Sequence, residues 1–167
     1  MILRCTKKLL DVIKPAGLAE DAPSLEDWYA NLLRLDGRKC LLLTHAATLF
    51  TVFEPDVRAA GLRDTRTTVT GLIARELARE GLPADTFGEL KTAAVILAKT
   101  ADRTILGCMN DMAHYSEAIV RQAGALAAAD RADINQALRR NILSARAYRQ
   151  PIELVAERLA AARALTN

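Results

Sequence analysis

Residues 28–53 read W-Y-A-N-L-L-R-L-D-G-R-K-C-L-L-L-T-H-A-A-T-L-F-T-V-F, and this stretch decides the fold class. Two apolar segments, 31–35 and 39–44, flank Asp36-Gly37. A two-residue type I′ turn needs positive φ at both central residues, and Asp-Gly supplies it. The third segment, 48–53, alternates as a half-buried strand does, with the second turn at His45-Ala46-Ala47. The spacing predicts a three-stranded antiparallel meander. Arg38 and Lys39 follow its first turn, either as a phosphate-contacting tip or as charges that keep a hairpin soluble. His45 reads as a surface or capping residue, with acid–base or metal chemistry as the alternative.

Upstream, residues 2–5 read as a short strand. Thr6 is an N-cap, and 7–13 form a helix with Leu9, Leu10 and Ile13 inward. Residues 14–27, with two Pro, one Gly and four acids, form a loop. Downstream, Pro55 ends the meander and 56–61 make a helical turn. A helix over about 64–80 buries Thr65, Val69, Leu72, Ile73 and Leu77, leaves Glu76, Arg79 and Glu80 outside, and stops at Gly81 and Pro83. The run A-V-I-L-A at 94–98 reads as a strand buried on both faces, the fourth or fifth of one sheet.

Thr100 or Asp102 then caps a long amphipathic helix. Ile105, Met109, Met112, Ser116, Ile119, Val120 and Ala123 share one arc, while Arg103, Gly107, Asn110, His114, Glu117 and Arg121 share the opposite stripe. Gly107 costs such a helix about 1 kcal/mol against Ala. Close approach of a ligand or another backbone would justify it; a plain solvated stripe would not require it. After Gly124 the chain is Ala-rich. Asp130 caps a helix to about Arg140, 141–150 is a loop, and Pro151 opens a last helix whose stripe is Leu154, Val155, Leu159 and Leu165.

At 167 residues, 51% of them hydrophobic, one domain with an ample core is expected. Aromatics are 4%, too few for a base-stacking platform. Net charge is +3, and the excess lies in residues 121–167, with eight basic side chains against four acidic. That permits contact with phosphate without the footprint of a dedicated DNA binder. Three scattered Cys and two His make a structural zinc site improbable and suit a reducing compartment. No membrane span and no signal peptide are read, so the expected location is cytoplasmic.

Phosphate-cradling loops, a nucleophile elbow and metalloprotease helices are all missing, and no cofactor is expected. What remains is a polar group around the start of the long helix: Lys99, Thr100, Arg103, Asn110, Asp111 and His114. Lys and Arg beside a helix N-terminus favour an anion. Asn110 and His114, four apart, face the same way. The same group equally suits a clamp that fixes the helix on the sheet.

The blocks I-L-R-C-T-K-K-L-L, D-W-Y-A-N-L-L-R-L-D-G-R-K-C-L-L-L-T-H-A-A-T-L-F and K-T-A-D-R-T-I-L-G-C-M-N-D-M resemble those of an uncharacterised family of small bacterial proteins, a domain of unknown function. Y-R-Q-P-I-E-L-V is also similar. The resemblance implies a bacterial cytoplasmic origin and carries no activity, cofactor or catalytic residue.

The expected fold is α+β: an antiparallel sheet of about five strands, helices mainly on one face, and a helical C-terminal third. The leading functional expectation is a non-enzymatic binding module with a basic patch of Arg4, Lys7, Lys8, Arg38 and Lys39, joined by Lys99 and Arg103. Its partner would be nucleic acid or an acidic protein surface. One alternative is a small enzyme or sensor for a phosphorylated or nucleotide ligand, with Lys99 and Arg103 holding the anion and Asp111 or His114 as base. The other is an accessory protein that oligomerises through its C-terminal helices.

Overall fold

The fold is that of a computed structural model describing residues 1–166, the side chains of residues 145, 165 and 166 excepted. Strand β1 (Ile2–Cys5) leads through helix α1 (Lys7–Ile13) to β2 (Trp28–Leu35), β3 (Arg38–His45) and β4 (Thr51–Glu54). Helices α2 (Ala59–Arg63) and α3 (Thr65–Arg79) follow, then β5 (Ile96–Lys99) and α4 (Arg103–Gln122). Helix α5 (Arg131–Arg140), a 3-10 turn (Ser144–Arg146) and α6 (Pro151–Thr166) complete the described chain.

The three-stranded antiparallel meander forms, but His45 belongs to β3, the second turn and its connection cover residues 46–50, and the third strand starts at Thr51 and not at residue 48. Trp28 lies opposite His45 and Leu35 opposite Arg38, while β4 pairs antiparallel with β3. Asp36 and Gly37 take φ of 49° and 74°, the signs a type I′ turn demands. The rest of the sheet corrects the antiparallel expectation. Its order is β4-β3-β2-β1-β5, and β1 runs parallel to both β2 and β5. The sheet is mixed because α1 and the loop after it carry the chain back to the end where β1 began. A parallel neighbour requires such a crossover.

The expectation of helices mainly on one face is also corrected. Alternate strand residues feed two buried clusters. Leu3, Cys5, Ala30, Leu41, Leu43 and Val52 pack with Leu9 and Ile13 of α1, Leu62 of α2, Val69, Ile73 and Leu77 of α3, and Val155 of α6. Tyr29, Cys40, Leu42 and Phe53 pack with Ile105, Cys108, Met109 and Met112 of α4 and Ile134 and Leu138 of α5. A run such as Leu41-Leu42-Leu43 is apolar on both sides of the pleat and needs cover on both.

Position in the sheet sets the burial of β5. It is an edge strand with β1 as its one neighbour in the sheet, so Ala98 is buried while Ile96 is 48% exposed and Lys99 is exposed. Helix α4 starts at its cap, where Asp102 Oδ1 accepts from the N–H groups of Thr104 (2.7 Å) and Ile105 (3.2 Å). Asp130 caps α5 likewise. A Cβ at Gly107 would meet nothing within 4 Å, so close approach is not what places a glycine there. Val155 is fully buried in α6 and Leu154 and Leu159 are half-buried; the Leu165 side chain lies outside the described residues. Among the described residues, the large exposed apolar side chains are Leu25, Ile96, Tyr115, Ile142 and Tyr148, none of them on α5 or α6.

Glu76 was expected outside and is fully buried. It meets Arg139 at 3.1 Å, Arg75 at 3.0 Å and Arg79 at 3.3 Å, and Arg139 also reaches Glu80 at 2.7 Å. This network ties α3 to α5. The outer edge of β4 is covered by Asn135, whose amide accepts from Phe53 N (2.7 Å) and donates to Phe53 O (2.8 Å). Ala19 N donates to Leu97 O at 2.8 Å and so covers part of the outer edge of β5.

Candidate functional site

The end of the sheet where β1 and β5 finish is where the topology opens. Chain leaving β1 enters α1 on one face, and chain leaving β5 enters α4 on the other. Adjacent parallel strands whose helices depart to opposite faces leave a crevice outside their carboxyl ends, the usual ligand position of open α/β sheets. Here the crevice is two clefts, and α1 contributes a wall to each.

The first cleft, about 810 Å³, is lined by Arg4, Lys99, Thr100 and Ala101 on the strand side, and by Leu10, Asp11 and the loop over residues 15–23. Its one buried cation is occupied. Arg4 is 2% exposed; its Nε meets Asp27 at 2.5 Å, its Nη2 donates to the carbonyls of Asp21 (2.8 Å) and Ala22 (2.9 Å), and its Nη1 to that of Lys99 (3.4 Å). Arg4 therefore holds the loop to the sheet and is no part of a surface patch. Asp11, Glu20 and Asp21 line the same cleft and oppose a phosphate.

The second cleft, about 500 Å³, lies on the other side of the β1 terminus. Lys8 and Val12 of α1 form one wall, and Ala113, His114 and Glu117 of α4 the other. Leu32, Leu33, Arg34 and Leu35 of β2 form the floor, with Lys39 beside them. Arg34 donates from Nη1 to the Gly37 carbonyl at 3.4 Å. Glu117, by contrast, is held by Arg121 at 3.3 Å.

The polar group read around the start of the long helix is thus divided. Lys99 and Thr100 line the first cleft and His114 the second, while Arg103, Asn110 and Asp111 are exposed on α4 and line neither. From Arg103 to His114 the helix advances about 16 Å at 1.5 Å per residue. An anion held by Lys99 and Arg103 would lie far from His114. Asp111, the other base of the enzyme reading, lies about 12 Å along the helix from Arg103, so neither base shares a cleft with Lys99. The basic patch is divided as well. Lys7 is exposed and lines neither cleft, Arg38 is paired with Asp56 at 3.1 Å, and Lys8 and Lys39 converge on the second cleft. Sequence reasoning missed Arg34. Its signal was the length of β2, which runs five residues past the partner of Cys5.

His45 is neither a surface residue nor a free base. It is 1% exposed, packed against the rings of Trp28 and Phe87, with Nδ1 3.1 Å from Thr48 Oγ1. Burial, helped by the Arg158 charge and opposed by Glu26 and Asp27, pushes its pKa down to about 4. An unfolded His binds its proton near pH 6.5. The neutral buried ring therefore stabilises the fold fully above pH 6.5, and that contribution is lost as pH falls through 4. At 1.36 kcal/mol per pKa unit it amounts to about 3 kcal/mol. Urea denaturation of the wild type and His45→Asn at pH 7 and pH 4 checks this. The wild type should lose about 3 kcal/mol more than the variant on acidification, and equal losses would contradict it.

Burial pushes the Cys5 thiol up to about 12 and raises Cys40 and Cys108 as well, which disfavours their thiolates. Among the described residues no helix is long and apolar enough to cross a membrane.

The model of a domain of unknown function (DUF6933) matches residues 2–154, and the chain belongs to that family. No curated protein and no solved structure matches it.

Proposed function

We propose that this family member is a non-enzymatic binding module whose second cleft receives an acidic segment of a partner protein. The observation that carries the reading is the convergence of Lys8, Arg34 and Lys39 on a groove floored by Leu32, Leu33 and Leu35. Among the described residues none of the three forms an ion pair, while Arg4 and Arg38 are both engaged by carboxylates. Three unneutralised cations around an apolar floor suit a polypeptide carrying both carboxylates and apolar side chains. A nucleic acid fits less well, because no aromatic ring lines the groove to stack a base.

Fluorescence anisotropy with labelled polyglutamate and with a single-stranded oligonucleotide of equal charge tests the reading. Polyglutamate should bind more tightly, with affinity that falls as salt rises. Exposed charge pairs contribute about 0.2–1 kcal/mol each, and reversal turns attraction into repulsion. Lys8→Glu with Lys39→Glu should therefore weaken polyglutamate on the order of tenfold. Tighter binding of the oligonucleotide, or indifference to the double reversal, would overturn the reading.

A further inference from the structure

The second cleft opens on a strand edge as well as on side chains. Strand β1 pairs with β2 from Trp28 to Ala30 and stops. From Asn31 to Leu35, β2 keeps one neighbour in the sheet, β3. Ala30 turns its carbonyl to the β1 side, where it accepts from Thr6 N at 3.0 Å. Backbone direction repeats every second residue along a strand. Leu32 and Arg34 therefore aim their N–H and C=O groups to that same side, into the cleft. Their side chains and those of Leu33 and Leu35 belong to opposite faces of the sheet, yet all four line one cleft. That is the geometry of a groove seen edge-on.

The other sheet margins are treated differently. Asn135 satisfies the β4 edge at Phe53, and Ala19 bonds the β5 edge at Leu97. An edge strand left open between two helices is a template for another strand.

Resting on the acidic-partner reading, we propose that the β2 edge at Leu32 and Arg34 takes up an extended peptide as an added strand between α1 and α4. The two walls fix its pattern. On the α1 face, Lys8, Arg34 and Lys39 present positive charge, Arg34 and Lys39 sharing the strand parity of Leu32 and Leu41. On the α4 face, Leu33, Leu35 and Ala113 present apolar surface, and Glu117 repels an acid. A bound strand then alternates, acidic residues toward α1 and apolar residues toward α4. The open length of β2 accommodates about five residues at about 3.3 Å each. A second copy of this chain is disfavoured as the occupant, because pairing two such edges would set Arg34 and Lys39 against their own kind.

The probe is acetyl-(Glu-Val)3-amide, compared with the same peptide N-methylated at every backbone nitrogen. N-methylation keeps charge and side chains but removes the donors a strand needs. The unmethylated peptide should bind at least tenfold more tightly and slow amide exchange at Leu32 and Arg34 at least tenfold, read residue by residue by NMR. Equal binding of the two peptides, or fast exchange at both amides in the complex, would overturn strand addition. If polyglutamate binds and neither peptide does, strand addition fails and the acidic-partner reading stands. If none of the three binds, both fall.

Discussion

Arg4→Met should destabilise the fold by up to about 5 kcal/mol, measured by urea denaturation at pH 7. Removing one partner of a buried ion pair costs about 3–5 kcal/mol, because the other charge is left in a medium that cannot solvate it. Here that charge is Asp27, 3% exposed, whose remaining donor is the Ser24 N–H at 3.0 Å. The Asp21 and Ala22 carbonyls lose their Arg4 donors as well. With so little to compensate, the upper end of the range applies. The damage should begin locally: hydrogen exchange should speed up in residues 21–27 and at the β1–β5 end before the helices are affected. Arg4→Lys should fall between the two, since a lysine supplies charge and donors without the planar fork that serves Asp27 and two carbonyls together. A loss below 1 kcal/mol for Arg4→Met would mean that the pair is not closed as described.

Arg139→Met should cost about 3 kcal/mol, the lower end of the same range. Arg139 is 2% exposed and joins Glu76 of α3 to Glu80, donates to the Thr51 carbonyl at 3.4 Å, and stands 5.1 Å from the centre of the Phe50 ring. Its removal leaves Glu76 buried, but Arg75 and Arg79 still hold that carboxylate. Glu80 likewise keeps Arg140 at 2.8 Å. The network limits the loss that an isolated pair would suffer. The double variant Glu76→Leu/Arg139→Met separates pairing from packing. Two apolar side chains of similar volume often replace a buried pair at little or no net cost. The double variant should therefore be more stable than Arg139→Met alone. A double variant that loses the sum of the two single losses would show that the two side chains are not coupled.

Arg4 shows no sign of its burial in the sequence. Beside Lys7 and Lys8 it looks like one more cation on a wet face. Nothing local distinguishes it, because its partners lie 17 to 95 residues away. Glu76 carried a faint signal: it lies three residues past Ile73 and four past Leu72, on the buried arc of α3, yet its charge argued for the surface. Of the second cleft, the sequence marks Lys8 and Lys39 as part of a basic patch and His114 as part of the polar group on the long helix, two separate groups. Only the parallel register of β1 on β2 brings them together and leaves Arg34 over an open edge.

What the sequence determined by itself is local. Asp36-Gly37 set the hairpin and its register, because the turn's backbone signs admit few other residues. Asp130 and Pro151 set where two helices begin, through side-chain capping or a proline's fixed φ, and the start of α4 was narrowed to Thr100 or Asp102. The spacing of Ile105, Met109, Met112 and Val120 set which face of α4 is buried. Tertiary structure alone decided the mixed sheet, the placing of helices on both faces, the burial of Arg4, His45, Glu76 and Arg139, and the two clefts. The physical reason is the range of the forces. Turn geometry, capping and amphipathic period act within a few residues. Strand order and the pairing of buried charges depend on contacts that exist only after distant segments have packed.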